Sequence, residues 1–304
     1  MSDEAHRRMN LAFGGGIFLG TYQLGVAKAF YNNGQALLDH VECYSGVSSG
    51  VIAAALLLLC PDKIGEYIAH AKVLADEIRK RGGLSPELKP SLADRLKKVL
   101  VSILPEDAYQ KATGRLCITA TPFKKMKHDY TMPVYWGDGT SWMRYGLSKG
   151  TTALDIFKKL TVFPENKLHP ITEYKDNEYL INAIIGATYI PLWGGPEFPE
   201  FDDLCWMDAG FTNNLPRTDC FSNDYKTISI SPYMGDNLSI CPAKNINGVE
   251  RDPTFFTGQP LDWSIWNLTR AKDALYPQSG ETLHEYYEYG FFDTDRFLRR
   301  LVRD

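Results

Sequence analysis

Gly46-Val47-Ser48-Ser49-Gly50 places a serine two residues from a glycine on either side. A serine hydroxyl is a weak nucleophile until a neighbouring base takes its proton. The G-x-S-x-G spacing suits such a serine because it allows a sharp strand-to-helix turn, where bulky flanking residues would make strand and helix collide. Only Ser48 is central. Ser45 falls in the apolar run before the turn, and Ser49 opens the run after it, where a serine serves equally well as a helix cap. Unpaired N–H groups at that helix start would face negative charge developing beside Ser48. The pattern also fits an ordinary glycine-rich turn of a parallel sheet, so its surroundings have to decide.

Upstream, Gly14, Gly15 and Gly16 follow the apolar run Leu11–Phe13. Consecutive glycines offer unhindered backbone N–H groups, suited to an oxyanion or to a phosphate at a helix start. Nucleotide binding is excluded in detail. Ile17 and Leu19 break G-x-G-x-x-G, and no lysine follows Gly20 as a phosphate loop requires. No HExxH, His/Cys cluster or paired ligand spacing supports a metal, and no cofactor is implied. Two bases remain for Ser48. Asp208, in "WMDAGFTNNLP", ends a strand at a small-residue turn, the place where parallel α/β sheets put functional side chains. It could act directly, or through His284 as a triad in the order Ser48, Asp208, His284.

The elements that would position these residues can be read in the same way. Leu11–Phe13 and "HVECYSG" are short apolar runs, each stopping at glycine. "GTYQLGVAKAFYNNG" repeats apolar residues at helical spacing and ends at Asn33-Gly34, and "VIAAALLLLC" is too short, at about ten residues against roughly 20, to span a membrane. The order strand, turn, helix, strand, turn, helix is a βαβ unit with a further helix, which implies parallel strands. Residues 62–110 are mostly helical, with Ile64, Tyr67, Ile68, Ala71 and Leu74 on one face and Leu92, Leu96, Leu100 and Ile103 on another. "RLCITATPF", "DYTMPVYW", "LCWMDAG" and "KTISISPY" are strands, and 146–195 mixes helix and loop. "DTDRFLRRLVRD" is a short amphipathic helix docked at the edge of the core, its arginines within reach of lipid headgroups. No repeat or linker interrupts the chain, so a single α/β domain over 1–304 is expected, with a parallel-rich sheet flanked by helices.

Composition narrows the partners. With 44% hydrophobic and 23% charged residues the chain is an ordinary folded protein. A net charge of -4 gives no overall attraction to nucleic acid. The polar N-terminus shows no signal peptide, and six scattered cysteines without a CxxC fit reduced thiols. A cytoplasmic, unsecreted protein is therefore expected, with the sequons at Asn237 and Asn267 chance matches.

"FGGGIFLGTYQLGVAKAF", "GVSSG" and "MDAGFTNNLP", in this order, resemble the patatin-like phospholipase family, most of all the animal branch that includes adipose triglyceride lipase. "ISISPYMGDNLSICP" and "RAKDALYPQSGETLHEYYEYGFFDTDRFLRR" resemble the same branch. The resemblance implies a three-layer α/β fold and a serine acyl-ester hydrolase. Ser48 would be its nucleophile, Asp208 its base without a histidine, and Gly14, Gly15 and Gly16 its oxyanion loop. It implies a phospholipid or acylglycerol substrate, transacylation as a related activity, and peripheral contact with a membrane or lipid droplet. Two positions depart from the family's pattern. Ile17 stands where a third loop glycine is usual, and Asp208-Ala209-Gly210 replaces Asp-Gly-Gly. A catalytically weak lipid-surface or regulatory protein is the reading from another class. A protein coactivator is neither indicated nor excluded. Trp193, Phe198 and Trp206 are expected in the core, with an acyl channel as the alternative. "KKMKH" (Lys124 to His128) is a candidate contact for anionic headgroups, otherwise a solvated hairpin.

Overall fold

The apolar run Met9–Phe13 forms β1, and Val41–Val47 forms β2, paired parallel to it. The structure, a computed structural model, describes residues 8–82, 88–123, 168–190, 193–195, 197–211, 213–216, 225–235, 238–242, 254–256 and 259–301. The strand expected at "DYTMPVYW", the basic "KKMKH" stretch, Cys220 and the sequon at Asn237 lie outside the described residues.

Between β1 and β2 the chain makes a 3-10 turn, Ile17–Leu19, then α1, Gly20–Asn33, and the short α2, Gln35–Leu38. Asn33 ends α1 and Gly34 caps it, as its sequence requires. The helix after β2 is α3, Ser49–Leu59. All but two of its residues are buried, which explains an apolar composition with no polar face. Then come α4 (Ile64–Lys80), α5 (Leu92–Ile103) and α6 (Ala108–Ala112). Ser91 and Asp94 form a reciprocal capping box that starts α5.

The central strands are parallel. β3 (Leu116–Phe123) pairs with β2, and β7 (Lys226–Ile230) with β1. At the β3 edge the direction reverses: β4 (His169–Ile171) and β6 (Leu204–Asp208) both pair antiparallel with β3, and β5 (Glu200–Phe201) pairs antiparallel with β6. The order is β5-β6-β3-β2-β1-β7, with β4 off this path. The expected parallel-rich α/β sheet flanked by helices is therefore present, but the strand that carries Asp208 is not one of the parallel ones. A separate hairpin pairs β8 (Thr254–Phe256) with β9 (Gln259–Leu261).

The other helices among the described residues are α7 (Asn177–Thr188), α8 (Ile265–Leu275) and α9 (Gly280–Leu301). The expected short terminal helix is in fact the second half of the 22-residue α9. Gly290, which looks like a stop in the sequence, is a contact point. A Cβ on Gly290 would strike the Tyr22 carbonyl of α1, and one on Gly25 would strike the Tyr287 carbonyl of α9. The two helices touch backbone to backbone, and Tyr22 donates a hydrogen bond to Asp293 at 2.9 Å. Among the described residues no helix is long and apolar enough to cross a membrane.

Candidate active site

Ser48 lies between β2 and α3 with φ 54 and ψ -134, a left-handed backbone that an L-residue adopts only when its surroundings force it. The flanking glycines explain how. A Cβ on Gly46 would come within 2.5 Å of the Val51 backbone, and one on Gly50 would collide with the Phe13 carbonyl. Helix α3 thus folds straight back onto β2 and the end of β1. Ser48 is 5% exposed at the helix N-terminus, where the first N–H groups have no intrahelical acceptor.

Asp208 reaches the same level of the sheet by register. Val47 is opposite Thr119, and the next β3 residue, Ala120, is opposite Asp208. Because β6 runs antiparallel, the sequence argument from the carboxyl end of a parallel strand does not hold; the cross-strand register replaces it. The Asp208 backbone N–H donates to the Tyr189 carbonyl at 3.0 Å, and the Gly210 N–H donates to its Oδ1 at 2.7 Å. The carboxyl and Ser48 meet at Gly210, where a Cβ would lie 3.0 Å from Asp208 Oδ1 and 3.8 Å from Ser48 Cβ. Burial pushes this carboxyl up to about 7, against the nearby Ser48 hydroxyl and the Gly210 N–H, which hold it down.

The glycine loop is anchored on its far side. Gly14 N–H donates to the Ile230 carbonyl at 2.9 Å and Gly15 N–H to the Asn214 carbonyl at 3.1 Å. These two donors hold the loop against its neighbours. A Cβ on Gly15 would lie 3.0 Å from Ser48 Cβ, so the loop passes directly over the serine. Gly16 heads the 3-10 turn, and Ile17, where the family's pattern has glycine, takes φ 50. A β-branched residue there costs about 1–2 kcal/mol of backbone strain.

Three polar residues that the sequence reading did not single out tie these parts together. Gln23 of α1 is fully buried; its Nε2 donates to the Gly14 carbonyl, and its Oε1 accepts from Ser49 Oγ at 3.5 Å. Asn214 Nδ2 donates to the Gly15 carbonyl at 3.2 Å and to Gln259 Oε1 at 2.9 Å, and Gln259 donates on to Ser231. Asn214 sits in the quoted "FTNNLP" and Gln23 interrupts an apolar helix, so both left a trace in the sequence. Gln259 left none.

An apolar channel of about 710 Å³ opens from Ser48 and Ser49 between α1, α4, α5 and α7. Tyr67, Ala71 and Leu74 of α4 and Leu92 and Leu96 of α5 line it, while Ile64, Ile68, Leu100 and Ile103 of the same stripes are buried. Trp193, expected in the core, lines the channel. Trp206 is a core residue, stacked on Phe201 at 4.7 Å, and Phe198 packs on Tyr189 at 5.1 Å. His284 is half exposed on α9, beside Glu288 at 3.8 Å and stacked on Tyr287.

A hydroxyl on a strained elbow, a buried carboxyl beside it and an apolar channel opening from the serine are the features of the α/β acyl hydrolases. Comparison with known proteins gives the family. Residues 11–221 match patatin-like phospholipase, and the chain belongs to the patatin-like phospholipase family, a family of lipid acyl hydrolases. It is 28% identical to human patatin-like phospholipase domain-containing protein 4 over 294 residues, 96% of this chain and 97% of that protein. It is 28% identical over 295 residues to bovine patatin-like phospholipase domain-containing protein 2, covering 96% of this chain and 50% of the relative. It is 27% identical over 294 residues to human omega-hydroxyceramide transacylase, covering 96% of this chain and 46% of that enzyme. The chain thus spans about half the length of the last two relatives.

Proposed function

We propose that the protein hydrolyses long-chain acyl esters of phospholipid or acylglycerol with Ser48 as nucleophile and Asp208 as its only base. The observation that carries this reading is the closeness of Ser48 to the buried Asp208 carboxyl, both within 4 Å of where a Cβ on Gly210 would stand. Ser48 Oγ attacks the ester carbonyl while its proton passes to Asp208. The tetrahedral oxyanion accepts N–H groups from Gly16 and from Ser49 at the start of α3. Gly14 and Gly15 shape the loop, since their own N–H groups are engaged. Collapse expels the alcohol, which takes the proton back from Asp208 and leaves an acyl-serine. Water, deprotonated by Asp208, then releases the fatty acid and restores Ser48. A carboxyl that titrates at about 7 suits both halves of this cycle. The apolar channel supports a long acyl chain, and an acyl-serine attacked by a lipid alcohol instead of water would give transacylation.

The substrate is drawn from a lipid surface in this reading, so the enzyme binds that surface peripherally. The test measures fatty-acid release from mixed phospholipid and triacylglycerol, and from a p-nitrophenyl ester. Ser48→Ala and Asp208→Asn, each verified as folded by circular dichroism, are expected to lose about 10³-fold or more. His284→Ala is expected to keep full activity. A folded Ser48→Ala enzyme that still turns over, or a silent His284→Ala enzyme, overturns the dyad.

A further inference from the structure

Helix α8 is built the wrong way round for a helix that only covers a core. Its inner side packs on the 3-10 turn Ile17–Leu19, which lines the channel. Its buried residues include polar ones: Asn267, whose amide donates to the Met234 and Asp262 carbonyls, and Asp273, which accepts from the Tyr286 hydroxyl at 2.7 Å. Its outward side is apolar. Ile265 is 74% exposed and Trp266 and Leu268 51% each, with Lys272 exposed among them and no carboxylate. Beside it, α9 presents Tyr289 and 57%-exposed Phe292, and then Arg296 and Arg299.

A groove of about 680 Å³ runs between the two helices, walled by Trp266, Tyr289 and Phe292. Three arginines line it, Arg270, Arg296 and Arg299, against two aspartates, Asp293 and Asp295. Arg296 and Arg299 pair with those aspartates at 3.6 and 2.8 Å. Arg270 adds the excess positive charge, and its buried Nε has no hydrogen-bond acceptor among the described residues. Tryptophan and tyrosine beside apolar residues, ringed by arginine and lysine, are the composition of a helix lying at a lipid–water interface.

We infer that the α8/α9 face seats the protein on a phospholipid surface bearing anionic headgroups. Ile265, Trp266, Leu268 and Phe292 enter the acyl boundary, while Lys272 and the groove arginines meet the phosphates. The inference rests on the reading that the substrate comes from a lipid phase.

The experiment is co-sedimentation of full-length Ser48→Ala protein, which cannot consume the lipid, with two kinds of vesicle: phosphatidylcholine alone and phosphatidylcholine mixed with phosphatidylserine. Binding to the mixed vesicles is expected, weaker by about tenfold on phosphatidylcholine alone or in high salt. Adding Ile265→Asp and Leu268→Asp is expected to weaken binding by at least about tenfold. The same double substitution in the wild-type background should leave p-nitrophenyl butyrate hydrolysis unchanged. If that variant does not fold, the single surface change Lys272→Glu decides, with binding expected to fall on mixed vesicles only. Binding by a folded double variant equal to that of its parent, or no binding by the parent, overturns the inference. Vesicle binding by a protein that hydrolyses no ester leaves the docking face standing and removes the hydrolase reading, so the two fail separately.

Discussion

At the scale of residues, the site turns on a carboxyl in the wrong medium. Asp208 is 2% exposed, and burial raises its titration to about 7 from an ordinary carboxyl value. In the proposed cycle only the ionised form accepts the Ser48 proton, so kcat/KM is expected to rise with pH and level off above about 7, as a stopped-rate pH profile on a soluble ester would record. The stability sign is opposite. A folded-state value above the unfolded one means the native state holds the extra proton between about pH 4 and 7. Stability is therefore fully present below that window and is lost as pH rises through it. Three units correspond to about 4 kcal/mol at most. Asp208→Asn should accordingly melt higher than wild type at pH 8 and lose that advantage at pH 5, as paired thermal melts would show. Ser48 and Asp208 could be named as candidates from the sequence because the first sits in a motif whose spacing has a steric reason and the second at a small-residue turn that the family resemblance marks. Gln23, Asn214 and Gln259 were not, because their worth lies in bonds to one another and to the glycine loop across distances that no local pattern encodes.

At the scale of elements, two features escaped the sequence for physical reasons. An apolar run such as "LCWM" says that a strand is buried, not which way it runs, so β6 was free to turn out antiparallel. Helical periodicity likewise marks an apolar face without saying what lies opposite. The stripes of α4 and α5 are partly core and partly channel wall, and Trp193 went with the channel. The α1/α9 contact is the element-level feature most open to test. Gly290→Ala and Gly25→Ala would each push a methyl group into a carbonyl of the facing helix. Net of the gain in helix propensity, each should cost about 1–2 kcal/mol. Gly65 of α4 faces open space, and Gly65→Ala should stabilise by about 0.5–1 kcal/mol. Denaturant melts of the three variants check the contrast, and a loss of esterase activity in the α1/α9 variants would show that the clamp steadies the proposed oxyanion turn.

At the scale of the whole molecule, helices from separate stretches of the chain enclose one apolar space. Narrowing its wall from α4 by Ala71→Phe should lower turnover of long-chain esters relative to short ones by about tenfold or more, read from a p-nitrophenyl ester series. The overall charge of -4 says little about how such a molecule would meet a surface, since the cations proposed to meet it are gathered along α8 and α9. The clamp between α1 and α9 has a consequence in time as well as in space. Tyr22 and its partner Asp293 are 271 residues apart. At about 5–20 residues per second, a ribosome takes on the order of ten to fifty seconds to supply the second after the first. Throughout that interval α1 exists without the helix that packs on it, and the apolar face it turns to α9 stays uncovered. The α1/α9 contact therefore closes only after everything between its two partners has been made.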